Sequence, residues 1–93
     1  MTSARILDGV LAASQVKSQL SSRITKLNQK PGLATILVGN DPGSISYVAG
    51  KHRDCAEIGI ESIRVELSES ASTKDVIAEI DRLNDDPRCT GMI

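Results

Sequence analysis

Ninety-three residues allow one small core, because a chain of this length buries a smaller share of its surface than a longer one does. Lysine plus arginine number 11 and aspartate plus glutamate 12, a formal net charge of −1, which excludes the basic footprint of a nucleic-acid binder and a cationic membrane patch. Phe and Trp are absent and Tyr47 is the only aromatic residue, so a stacking platform for single-stranded nucleic acid is excluded too, and a small molecule is the expected ligand.

The start, Met1-Thr2-Ser3-Ala4-Arg5, lacks the apolar core of a secretion signal, and no apolar run approaches the roughly 20 residues needed to cross a bilayer. Cys55 and Cys89 match neither a zinc pattern nor a disulfide framework. These features predict a reduced, cytoplasmic setting and no metal. Arg5-Ile6-Leu7 reads as a short extended piece ending at Asp8-Gly9. A helix follows over Val10–Leu27, with Leu11, Val16, Leu20, Ile24 and Leu27 at helical spacing and a serine-rich outer face of Ser14, Ser18, Ser21 and Ser22. Pro31-Gly32 stops it.

Leu33 to Val38 is a run of apolar and β-branched residues bounded by Pro31-Gly32 and Gly39-Asn40, as expected of a strand covered on both faces. Asp41 before Pro42 is a helix start, with an N-cap carboxylate and proline at the first helical position. At 100° per residue, Ile45, Val48, Cys55 and Ala56 turn to the core, and Ser46, Gly50, Arg53 and Glu57 to water. Ser44, Tyr47 and Lys51 form a single row on the shoulder between them. Such a pair of Tyr and Lys on an arbitrary helix is most often solvated, with the lysine stem over the ring. Beside the carboxyl end of a strand, however, the row lies where open α/β sheets bind ligands. His52, the only histidine, reads as a partly buried helix residue without a role.

Gly59 ends this helix, and Ile60–Leu67 suits a second strand. Ser72 and Asp75 form a capping box for a third helix whose buried stripe is Val76, Ile77, Ile80 and Leu83. A last strand covers Cys89–Ile93. The alternation of strand and helix predicts an α/β fold, a three-layer parallel βαβ sheet. An apolar strand that stops at Ile93 predicts an incomplete domain, which as an isolated chain should fold poorly.

The stretch Val38-Gly39-Asn40-Asp41-Pro42-Gly43-Ser44-Ile45-Ser46-Tyr47-Val48-Ala49-Gly50-Lys51, with Cys55-Ala56-Glu57-Ile58-Gly59-Ile60, resembles the N-terminal half of the bifunctional methylenetetrahydrofolate dehydrogenase/methenyltetrahydrofolate cyclohydrolase family. Ile6-Leu7-Asp8-Gly9 and Leu83-Asn84-Asp85-Asp86 agree with it. The resemblance implies that residues 1–93 are an incomplete N-terminal folate-binding and catalytic domain, followed in the parent enzyme by a Rossmann-type second domain that binds NADP. In that family a first helix packs beside the catalytic sheet.

The implied parent enzyme oxidises 5,10-methylenetetrahydrofolate to the methenyl form and hydrolyses that to 10-formyltetrahydrofolate. It serves one-carbon metabolism and purine biosynthesis, in the cytoplasm and as a homodimer. Lys51 is then the catalytic lysine, Tyr47 lies against the pterin and aminobenzoyl rings, and Ser44 helps to place the lysine. Lysine suits the task because a desolvated ammonium loses its proton readily or stabilises negative charge on the attacking oxygen. The resemblance implies that the cofactor-binding residues lie in the second domain, outside this chain; Gly39 and Gly43 read as turn residues, since no Gly-rich dinucleotide fingerprint follows a strand. The chain alone should be inactive. If Tyr47 and Lys51 are only a surface pair, the alternative is a non-catalytic α/β binding module or an inactive fragment.

Overall fold

The computed structural model describes residues 3–93. Met1 and Thr2, where the segment read as lacking a leader begins, lie outside the described residues. Three parallel strands, β1 (Gly32–Val38), β2 (Glu61–Leu67) and β3 (Gly91–Met92), lie in the order β2-β1-β3, with β1 central. The helices between and before them are α1 (Gly9–Thr25), α2 (Pro42–Ile58) and α3 (Thr73–Asn84). This is the expected α/β alternation.

Register decides which residues share a face. Ala34 pairs with Ile63, Ile36 with Val65 and Val38 with Leu67, so the apolar side chains of β1 and β2 align on one side. Leu83 of α3, fully buried, joins Ala34, Ile63 and Val65 in the core, with Ile36, Leu67, Cys89 and Met92 around them. That places α3 on this face. Thr35 points the other way and meets His52 of α2, so α2 covers the opposite face and the sheet is the middle of three layers.

Local chemistry fixes the ends of the helices. Asp8 Oδ1 accepts from the backbone N–H groups of Val10 and Leu11, starting α1 one residue earlier than its apolar spacing predicts. Ser72 and Asp75 form the reciprocal capping box at α3. Gly59, at φ +94°, ends α2 in the left-handed region, and its N–H returns to the Cys55 carbonyl.

Several sequence expectations fail on burial. Arg5-Ile6-Leu7 joins no strand, and Ile6 and Leu7 stand in solvent. The α1 stripe is open at Leu11, Val16 and Leu27, and only Leu20 and Ile24 are half-buried. Helix α1 packs on α2 through Lys17, whose ammonium meets Asp54 at 3.0 Å and Glu57 at 2.6 Å. Ile77 of α3 is exposed. In α2 the inward residues are His52 and Cys55, whereas Ile45 and Ala56 face out. The described residues expose 7106 Å². A folded monomer of this length exposes about 5200 Å². Ile6, Leu7, Val10 and Ile93 are among the apolar side chains left open, and the elongated outline, 60 × 35 × 18 Å, adds to the exposed area.

Candidate functional site

A cavity of about 570 Å³ opens at the carboxyl end of β1. Its walls are the strand residues Ile36, Leu37 and Val38, the α2 residues Ser44, Tyr47 and Val48, and Ile93 beyond β3. Gly39 makes the corner between strand and helix at φ +81°, a conformation that glycine adopts without strain. Because α2 starts within a few residues of that corner, its first turns lie over the cavity.

Asp41 caps α2. Its Oδ2 accepts from the Ser44 backbone N–H at 2.9 Å and from the Ser44 hydroxyl at 3.1 Å, and these bonds hold the carboxyl below its ordinary range. Ser44 therefore lines the cavity with its hydroxyl proton already committed. Among the described residues no hydrogen bond joins it to Lys51.

Tyr47 and Lys51 meet as their spacing predicts. The Lys51 ammonium stands 5.2 Å from the centre of the Tyr47 ring, within cation–π range. Tyr47 forms part of the cavity wall and is 61% exposed. Lys51 is exposed as well, and among the described residues no carboxylate lies within ion-pair distance of it. The desolvation expected of the lysine is thus not supplied by these residues.

Sequence reasoning missed two residues. Asp41 was legible as a cap but also borders the cavity. His52 does more than fill space, because its Nε2 lies 2.7 Å from the Thr35 hydroxyl, both groups being buried. Burial and then the Arg64 charge hold this imidazole below its usual pKa, so it is neutral at pH 7.

Among the described residues no helix start offers a cradle for a dinucleotide. A pyrophosphate binds where helix N-terminal N–H groups are free. Here the first turns of α1, α2 and α3 are closed by Asp8, Asp41 and the Ser72–Asp75 box, and a carboxylate at each start repels phosphate. Among the described residues no cluster of His, Cys, Asp or Glu could hold a metal ion, and no helix is long and apolar enough to cross a membrane.

Residues 7–93 match the family described as tetrahydrofolate dehydrogenase/cyclohydrolase, catalytic domain. The chain belongs to that family. It is 55% identical over 93 residues to the bifunctional protein FolD 1 of a Nocardioides species, covering 97% of this chain and 31% of that protein. Among solved structures it resembles the bifunctional FolD methylenetetrahydrofolate dehydrogenase/cyclohydrolase of Campylobacter jejuni, with TM-score 0.87, 33% identity, 91% of this chain and 31% of that one. A methylenetetrahydrofolate dehydrogenase from the silkworm Bombyx mori matches with TM-score 0.90 and 30% identity over 98% of this chain and 33% of its own. The Trypanosoma brucei FolD dehydrogenase-cyclohydrolase, solved with NADP and an inhibitor, matches with TM-score 0.89 and 26% identity over the whole of this chain and 33% of its own. The chain thus spans about a third of the length of these tetrahydrofolate dehydrogenase/cyclohydrolase relatives.

Proposed function

We propose that residues 1–93 are part of the N-terminal folate-binding and catalytic domain of a bifunctional enzyme. That enzyme oxidises 5,10-methylenetetrahydrofolate with NADP and hydrolyses 5,10-methenyltetrahydrofolate to 10-formyltetrahydrofolate. The single observation that carries the reading is the cavity at the carboxyl end of β1, walled in part by Ser44 and Tyr47, with the Lys51 ammonium 5.2 Å from the centre of the Tyr47 ring. Family membership and the uncovered apolar surface support it. The second domain, homodimer formation, the cytoplasmic setting and a place in purine biosynthesis belong to the same proposal.

The chemistry assigned to this chain is hydrolysis. Methenyltetrahydrofolate carries a cationic amidine carbon. Water adds to that carbon and loses one proton to give a neutral hydroxy adduct; the bond from that carbon to N5 then breaks, the remaining hydroxyl proton passes to N5, and the formyl group stays on N10. Tyr47 offers a ring face for the flat pterin and aminobenzoyl groups, which orients the carbon toward Lys51. Lys51 takes the proton that the attacking water gives up, once bound folate has excluded bulk water, or as an ammonium stabilises the adduct oxygen as it loses its second proton and the C–N bond breaks. Ser44, with its proton given to Asp41, presents oxygen lone pairs to the cavity and serves as a substrate contact. The described residues do not fit a nicotinamide dinucleotide, so no hydride step is placed on them, and NADP is assigned to chain outside these 93 residues.

The test is turnover by the complete gene product that carries this chain. Reduction of NADP with methylenetetrahydrofolate, together with loss of the methenyl chromophore, is the expected result. Exposure of Tyr47 and Lys51 also suits the second reading, a non-catalytic binding module or inactive fragment. Absence of both reactions in a folded protein would favour it.

A further inference from the structure

We propose that the hydrogen-bonded pair Thr35 and His52 is the peg that fixes how α2 is rotated on β1, and that His52 is thereby a positioning residue for Lys51 and Tyr47. The proposal rests on the folate reading above. His52 Nε2 lies 2.7 Å from Thr35 Oγ1, with Thr35 1% and His52 8% exposed. Threonine in a strand has a stiff χ1, so its hydroxyl is a fixed point on the sheet. Among the described residues His52 Nδ1 has no partner, and the bond to Thr35 is the only polar anchor of the imidazole. No other side-chain hydrogen bond among them ties α2 to the sheet.

The remaining contacts of that face are apolar. Val48 and Cys55, four residues before and three after His52, share its side of the helix. Apolar contact is non-directional and lets a helix turn on a sheet at small cost. A buried hydrogen bond is directional and does not.

The row of Ser44, Tyr47 and Lys51 lies roughly 80° to 140° around the helix from His52. Rotation of α2 by about 10° would carry the row about 1 Å along an arc. The strand side of the cavity wall would not follow, because Ile36, Leu37 and Val38 continue the same strand as Thr35. The peg thus joins the helix that carries the reacting groups to the strand that shapes their cavity. A displacement of that size at a reacting group costs up to about a hundredfold in rate.

The test uses the complete gene product, with His52→Leu, Thr35→Val, the double variant and His52→Gln, at a temperature where circular dichroism finds all of them folded. Leu and Val keep the packing volume and remove the bond, and Gln returns an amide nitrogen near the position of Nε2. The expected result is a kcat for methenyltetrahydrofolate hydrolysis about ten- to hundredfold lower in His52→Leu and in Thr35→Val, with KM changed far less. The double variant should be no worse than either single one, since one bond is lost in all three. His52→Gln should recover most of kcat. Variants that lower Tm and leave kcat at the wild-type value would overturn the proposal.

A wild-type protein without hydrolysis would instead sink the folate reading, and the peg would still be tested by NMR. The Tyr47 ring resonances, assigned by their loss in Tyr47→Phe, should shift in His52→Leu and return in His52→Gln. Resonances unmoved by His52→Leu would overturn the peg.

Discussion

The Lys51 ammonium stands 5.2 Å from the centroid of the Tyr47 ring, one helical turn away, and that ring forms part of the wall of the cavity between β1 and α2, which Lys51 itself does not line. Each side chain therefore limits where the other can go. If both groups act on one flat substrate, as proposed, the ring area should govern its binding. Replacing Tyr47 by Ala should raise KM for methenyltetrahydrofolate about tenfold, with Tyr47→Phe close to wild type, because ring area and quadrupole carry the contact. Steady-state kinetics of the two variants measures this. An equal loss in both would assign the work to the phenol hydroxyl.

Stability should depend on pH through His52. Burial, and secondarily the Arg64 charge, holds its pKa below the ordinary 6.5 in the native chain. As pH falls through 6.5 the unfolded chain takes up a proton that the folded one still refuses. The contribution of His52 is thus full above that value and is lost as pH falls toward the native pKa. Thermal unfolding from pH 7.5 to 5 should show Tm falling for wild type, and a flatter profile for His52→Leu, about that range.

Gly32 should tolerate no side chain. A Cβ there would lie 1.9 Å from the Arg88 carbonyl oxygen, where the backbone of Thr90 donates to Gly32 O at 2.8 Å. Gly32→Ala must push β3 off β1, and Ile93 moves with it. A destabilisation of about 2–3 kcal/mol in urea unfolding is expected, with weaker folate binding through the lost cavity wall.

The cap of α2 makes a separate prediction. Asp41→Ala removes two bonds to Ser44 and should cost about 1 kcal/mol. Asp41→Asn keeps an acceptor and should cost less, a difference that paired denaturation curves resolve.

How much of this was legible depended on whether the signal was local. Asp41-Pro42, Gly59 and the Ser72–Asp75 box specify their ends with atoms a few residues apart, and each element starts or stops where these residues say. The row of Tyr47 and Lys51 was legible for the same reason, because a four-residue spacing fixes a neighbour on a helix. Burial was harder. Leu11, Val16 and Ile77 have helical spacing, but spacing says only that a face is apolar, not that these residues cover it. The inward side of α2 was misread at Ile45 and Ala56 because hydropathy gives a histidine no credit. Helix spacing puts His52 on the side of Val48 and Cys55, and the threonine at 35, seventeen residues earlier on β1, gives its buried ring a polar partner. Nothing in the sequence near either residue announces the other.

The most direct test of the account is hydrolysis of methenyltetrahydrofolate by the complete gene product with Lys51 replaced by Ala, followed beside its thermal unfolding. Lys51 is exposed and unpaired among the described residues, so its removal should leave Tm near wild type. The account predicts hydrolysis lowered by at least about a hundredfold in that folded variant. Hydrolysis at the wild-type rate would contradict it and leave Tyr47 and Lys51 as a surface pair.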